Sequence, residues 1–232
     1  MRGVICFVAC ICLIVPASGQ KHEIGVKFNP GLSFRIFKSD PSIPQGIYSD
    51  YFIKPSFSAG LTYRRQLNKH LYLQSGLSWL NVGEQVSFPT WYNVMPPAPS
   101  DPTSVNVRYN YNYLSLETSL RGKFGSTERS AWYGFLGMEH LFFISPIQKT
   151  TYFYQDGTSN VRKRREQPLF TTFRVYIPAV TAGFGYEFKL FRDFRAHSGL
   201  CYTQLLTNTV HDRFQRRYYW LAAIDVGVSK RF

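Results

Sequence analysis

Two short stretches hold the residue types that acyl-transfer chemistry needs. His197 is followed directly by Ser198, and His211-Asp212 lies close to Thr209. A hydroxyl becomes a useful nucleophile when a base sits within hydrogen-bond reach and a third group orients that base. Adjacent side chains on an extended strand point to opposite faces, so His197 cannot serve Ser198. Thr209, His211 and Asp212 fall in a connection, where spacing supplies no nucleophile–base geometry. His140 has Met138 and Phe142 as same-face neighbours. There is no glycine-rich phosphate loop and no cluster of metal-ligand type. The chain reads as non-enzymatic, with no catalytic residue, metal or cofactor expected.

The remaining charges fall into two groups. Lys27, Arg35, Glu84, Glu117, Arg121, Glu139, Glu187, Arg195, Asp225 and Arg231 fall on or near one face of segments whose other face is apolar. Charges taken out of water must pair, because a lone buried charge is strongly destabilising. This group is expected to form a polar network, with Arg35, Glu117, Arg121, Glu139, Glu187, Arg195 and Asp225 as its core. If the turn at 125–130 is symmetric, Glu117 and Glu139 face each other and need a shared cation, Arg35 or Arg195, or a shared proton. The second group is Arg162-Lys163-Arg164-Arg165 with Arg213, Arg216 and Arg217, in two connections. Basic runs of this kind are usually solvated, but arginine also grips phosphate oxygens in pairs.

The elements that carry these residues show a period of two throughout. The first sets Ile24, Val26, Phe28, Pro30, Leu32, Phe34 and Ile36 against Gly25, Lys27, Asn29, Gly31, Ser33 and Arg35. Similar alternation predicts strands near 56–64, 71–79, 109–121, 131–144, 180–188, 194–206 and 218–232. Tyr109, Tyr111 and Tyr113 are one residue out of phase with Leu114, Leu116 and Leu120, which predicts a bulge or a change of face. The fifth strand is oriented with Leu136, Met138 and Phe142 outward and Glu139 inward, since a carboxylate facing lipid is costly.

Connections alternate long and short: 38–52, 87–106, 146–172 and 207–217 are long, whereas 65–70, 125–130 and 191–193 are short. Arg2 precedes an apolar run from Val4 to Val15, then Pro16 and Ala17-Ser18-Gly19. That is a secretory signal over 1–19, expected to be cut before Gln20. Cys201 is then the only cysteine left in the 20–232 domain, so no internal disulfide is expected. Removing Arg2 takes the net charge from +13 to +12. Export argues against nucleic acid and for anionic lipid or glycolipid as the counterpart. Together these features predict an all-β fold, an eight-stranded antiparallel transmembrane β-barrel with short periplasmic turns and long extracellular loops. A soluble ligand-binding barrel would put its apolar residues inside. Here they lie opposite the polar ones.

Several segments also resemble the PorT-like outer-membrane β-barrel family: EIGVKFNPGLSF at 23–34, KPSFSAGLTY at 54–63, NYLSLETSLRGKFG at 112–125, WYGFLGMEHLFF at 132–143, AGFGYEFK at 182–189 and VGVSKRF at 226–232. One block departs from the family pattern, with Ser115 where a glutamate is usual and Glu117 where a proline is usual. The resemblance implies a small outer-membrane barrel and brings in proteins of type IX secretion as candidate partners. The final strand ending at Phe232 is expected to engage the barrel-assembly machinery. The expected role is structural or accessory, without an open pore. The alternatives are a lipid A-modifying barrel enzyme and a small gated channel.

Overall fold

The computed structural model describes residues 21–39, 51–89, 101–125, 127, 129–164, 173–207, 209 and 215–232. The expected signal segment lies outside these residues. Ten strands occur among them: β1 (His22–Ser39), β2 (Tyr51–Phe52), β3 (Lys54–Gln66), β4 (Leu71–Pro89), β5 (Pro102–Phe124), β6 (Ser130–Tyr154), β7 (Ser159–Arg164), β8 (Tyr176–Phe191), β9 (Phe194–Leu205) and β10 (Gln215–Arg231).

Eight of them close into a ring, each pairing antiparallel with its neighbours in the order β1, β3, β4, β5, β6, β8, β9, β10 and back to β1. Following paired residues round from Ile24 leads through Tyr63, Ser75, Thr118, Met138, Val180, Gln204 and Trp220 to Phe34. The path returns ten residues further along β1, so the strands are staggered and tilt by roughly 40°. Closure leaves no free edge in the wall.

The pleat then sorts side chains into two surfaces. Ile24, Val26, Phe28, Leu61, Leu77, Leu136, Phe184, Leu200 and Ile224 are exposed on the outside, while Lys27, Arg64, Glu117, Arg121, Glu139, Glu187 and Asp225 are buried inside. In the fifth segment Leu136 and Met138 point out and Glu139 points in. Short turns join β3 to β4, β5 to β6 and β8 to β9, and the first and last described residues lie beside them, with His22 and Phe232 hydrogen-bonded to each other.

Two expectations need correction. The tyrosines of β5 do not change face: Tyr111 and Tyr113 are fully buried on the same side as Ser115 and Glu117. There is an irregularity at this level, but its extra residue is Ile144 on β6, between the pairs Asn112–Ser145 and Tyr113–Phe143. The tyrosines are interior packing, which is why they share the parity of the polar residues.

The second correction concerns the long connections. β4, β5 and β6 continue well past the other strands, and residues 146–154 and 159–164 are strands, not loop. β7 folds back on β6 through a tight turn in which Gly157 has φ +80°. The Tyr154 amide donates to the Thr158 carbonyl at 3.0 Å. The Asp156 carboxylate accepts from the Thr158 hydroxyl and amide at 2.6 and 2.9 Å, which holds its carboxyl below the ordinary value. Asp-Gly between two alternating runs is a hairpin signal.

Candidate functional site

The interior is stratified. Nearest the short turns, Glu187 on β8 gathers four cations from three other strands, β3, β5 and β9. Its Oε1 accepts from Lys123 Nζ at 2.5 Å and Arg195 Nη1 at 3.1 Å, and its Oε2 from Arg121 Nη2 at 3.3 Å and Arg64 Nη1 at 3.4 Å. Glu23 adds a second carboxylate, 3.5 Å from Arg64 and 4.0 Å from Lys123. The Arg121 guanidinium also lies 3.4 Å above the centre of the Tyr133 ring, and Lys123 Nζ lies 4.3 Å from that of Tyr72. Such clustering offsets the desolvation that each buried charge costs.

One layer further in, Tyr133 donates to Asp225 Oδ2 at 2.9 Å, and His197 Nε2 lies 3.6 Å from the same oxygen. His197 Nδ1 is 3.4 Å from Arg64 Nη2. Two facing glycines make room for the phenol: a Cβ on Gly185 or Gly199 would stand 2.6 or 2.7 Å from the Tyr133 hydroxyl. Small residues on the interior face are therefore bays for neighbouring rings.

At mid-height Glu117 and Glu139 are direct cross-strand partners. The cation at this level is Lys27, which pairs with Glu117 from across the barrel; it is neither Arg35 nor Arg195. Gln74 and Ser119 each donate to Glu117 Oε1 at 2.8 Å. Glu139 accepts from Ser115 at 2.8 Å and Thr203 at 3.2 Å. Arg35 pairs instead with Glu84 at 2.7 Å, and Arg195 with Glu187. The strand stagger decides this, because it sets which levels of opposite strands meet.

Toward the other end a packed apolar cluster joins the buried Arg35–Glu84 pair and Lys54. Tyr111, Tyr113, Leu141, Phe173, Ile177, Leu205, Tyr219 and Leu221 form one packed cluster. Tyr111 meets Phe173 and Tyr219 at ring distances of 5.2 and 5.6 Å, and Phe143 stacks on Phe173 at 4.8 Å. Charged knot and aromatic plug both cross the lumen, so the arrangement can bear load and hold register. His197, enclosed by Asp225, Arg64 and Tyr133, is built as a packing and pairing residue.

Glu23, Arg64 and Lys123 were absent from the expected network, although the signal was present. Extending the alternation one step from Gly25, Thr62 and Arg121 reaches each of them. Of the basic rim residues, Arg162, Lys163 and Arg164 are exposed on β7. The Arg162 guanidinium lies 5.9 Å from the centre of the Tyr152 ring. Arg216 and Arg217 stand in β10 opposite Lys38 and Phe37. Arg165, Arg213 and the His211-Asp212 pair lie outside the described residues. Among the described residues no group of three or more His, Cys, Asp and Glu is placed to hold a metal.

No protein-family model matches the chain, and no curated protein matches it by sequence. Solved structures do align over most of its length. The outer-membrane protein OprG of Pseudomonas aeruginosa matches at 11% identity, covering 92% of this chain and 96% of that one, with a TM-score of 0.48. Neisserial surface protein A matches at 9% identity over 91% and 97%, with a TM-score of 0.47. The attachment invasion locus protein Ail of Yersinia pestis matches at 15% identity over 91% and 98%, with a TM-score of 0.44.

Proposed function

We propose that this chain is an exported, integral outer-membrane barrel with a closed lumen, serving as a structural or accessory component. The observation that carries the reading is the inverted surface: Leu136, Phe184 and Leu61 are about 60% exposed, whereas Glu187, Arg64 and Arg121 are 0–1% exposed. In water such an arrangement forfeits burial of the apolar belt, at about 25 cal/mol per Å². In a bilayer it satisfies every backbone group and places hydrocarbon against hydrocarbon. The short turns and both termini then face the periplasm, and the extended β4–β7 region faces outward. Segment 1–19 is the export signal, and Phe232 closes the strand that the assembly machinery reads.

The lumen reading follows from its filling. Eight strands enclose only enough space for side chains, and here the ion-paired knot and aromatic plug occupy it in series. The resemblance of the blocks at 23–34, 54–63 and 112–125 to PorT-like barrels supports an accessory role beside secretion-system proteins. The basic residues Arg162 to Arg165, Arg213, Arg216 and Arg217 supply a rim for anionic glycolipid or an acidic partner. The burial and pairing of His197 favour this reading over a lipid-modifying enzyme.

Purified protein reconstituted in planar bilayers tests the closed lumen. We expect insertion without steady conductance in the wild type, and the same for Glu117→Ala. Large, stable currents through the wild type would overturn the closed lumen and favour a channel.

A further inference from the structure

Above the apolar belt, four strands present one rung of polar side chains on the outward face. Gln85 on β4 pairs with Arg108 on β5, Arg108 with Lys149 on β6, and Lys149 with Lys163 on β7. Three cations thus stand side by side, although like charges directly opposite destabilise a sheet. Arg108 Nε and Nη2 both donate to Gln85 Oε1, at 3.1 and 2.8 Å, which fixes the guanidinium in place. Among the described residues the rung itself carries no carboxylate: Glu84 lies on the opposite face, Asp156 at the hairpin tip and Asp101 directly ahead of β5.

Charged residues often protect an exposed strand edge from unwanted pairing. That accounts for Lys163 on β7, which pairs only with β6. It does not account for Arg108 and Lys149, which sit on strands paired on both sides. The height is informative too. On β6 the exposed Ile144 and then Ile147 precede Lys149, so the rung follows directly on the apolar belt, with the exposed Phe153 and Val161 beyond it on the same face. Two shallow depressions meet at Lys149. One of about 120 Å³ is lined by Gln85, Asn106, Arg108, Lys149, Thr151 and Phe153. The other, of about 530 Å³, is lined by Asn110, Ile147, Lys149, Lys163 and Arg164.

We infer that this rung docks the phosphorylated sugar headgroup of an outer-leaflet glycolipid. A phosphate monoester relieves the repulsion among Arg108, Lys149 and Lys163 through charge-assisted hydrogen bonds. Asn106, Asn110, Gln85 and Thr151 suit sugar hydroxyls, and Ile147 and Ile144 lead the acyl chains down into the membrane. The inference rests on the outer-membrane reading and names a site distinct from the Arg162–Arg165 run, apart from the shared Lys163 and Arg164.

The test uses the full mature protein in nanodiscs, with bis-phosphorylated lipid A and its dephosphorylated form as probes. The triple variant Arg108→Gln, Lys149→Gln, Lys163→Gln is compared with a charge-matched control at the other end, Lys69→Gln, Arg129→Gln, Lys189→Gln. Wild type and control should bind the phosphorylated lipid alike, and the triple variant at least about tenfold more weakly, with a flatter salt dependence. The dephosphorylated lipid should bind the wild type as weakly as the phosphorylated lipid binds the triple variant. Unchanged binding by the triple variant, equal loss in both variants, or tight binding without phosphate would overturn the docking site. Displacement of the lipid by millimolar inorganic phosphate would overturn it in favour of a free-phosphate site. Flotation with zwitterionic vesicles separates the two readings. Wild type that fails to insert overturns the membrane reading, whereas normal insertion with unchanged lipid binding overturns the rung alone.

Discussion

Glu187 accepts hydrogen bonds from Lys123, Arg195, Arg121 and Arg64, and no other carboxylate is placed to replace it for Arg121 or Arg195 among the described ion pairs. Glu187→Ala should therefore destabilise the barrel by about 3–5 kcal/mol, the range for breaking a buried pair from one side. Urea unfolding in detergent micelles would read this, and an unchanged midpoint would contradict the knot. A second expectation concerns the glycine bay. Gly199→Val should press on the Phe184 carbonyl oxygen as well as displace Tyr133 from Asp225, and cost about 1–3 kcal/mol by overpacking. The penalty should shrink in a Tyr133→Leu background; strict additivity in that double-mutant cycle would show that the two sites are uncoupled. Which charges face inward was legible from alternation alone, as Glu117, Arg121 and Glu187 illustrate. Their partners were not. Lys27 reaches Glu117 from across the barrel, and that meeting depends on the ten-residue stagger, a property of the closed ring that no single strand carries.

The eight wall strands were readable because each buries one face and exposes the other, so period two is enforced along their length. β5 misled for a physical reason. An aromatic residue in a membrane wall suits the lipid face or the lumen equally, and Tyr111 and Tyr113 took the lumen, where they form part of the plug. The extension of β4, β5 and β6 was hidden by the prolines and charges of segments 87–106 and 146–172, which resemble loop composition. Yet Asp156-Gly157 marked the hairpin. Gly157 adopts φ +80°, a region that side chains with a branched Cβ resist. Gly157→Val should weaken the β6–β7 hairpin by about 1–2 kcal/mol. Amide exchange at 159–164 should accelerate while exchange in β8 and β9 stays unchanged. Unaltered protection at 159–164 would contradict the turn assignment.

At the scale of the molecule, the barrel is turned inside out: charge within, apolar side chains without, and a lumen crossed by ion pairs and packed rings. Fold class and the inward and outward faces of the wall were open to reading because they follow from patterning; the stratified interior, an ion-paired knot at one end and aromatics around the Arg35–Glu84 pair at the other, needed the strand register. The most direct test labels the outer surface. In a Cys201→Ser background, single cysteines placed at Val26, Leu61, Leu77, Leu136, Phe184, Leu200 and Ile224 are spin-labelled and reconstituted in vesicles. Molecular oxygen, which concentrates in hydrocarbon, and a water-soluble nickel chelate then compete as relaxing agents. Strong oxygen access and negligible chelate access are expected at all seven positions around the ring. Chelate access at these sites equal to that at Asp156 would contradict a membrane-embedded belt and leave a water-soluble barrel in its place.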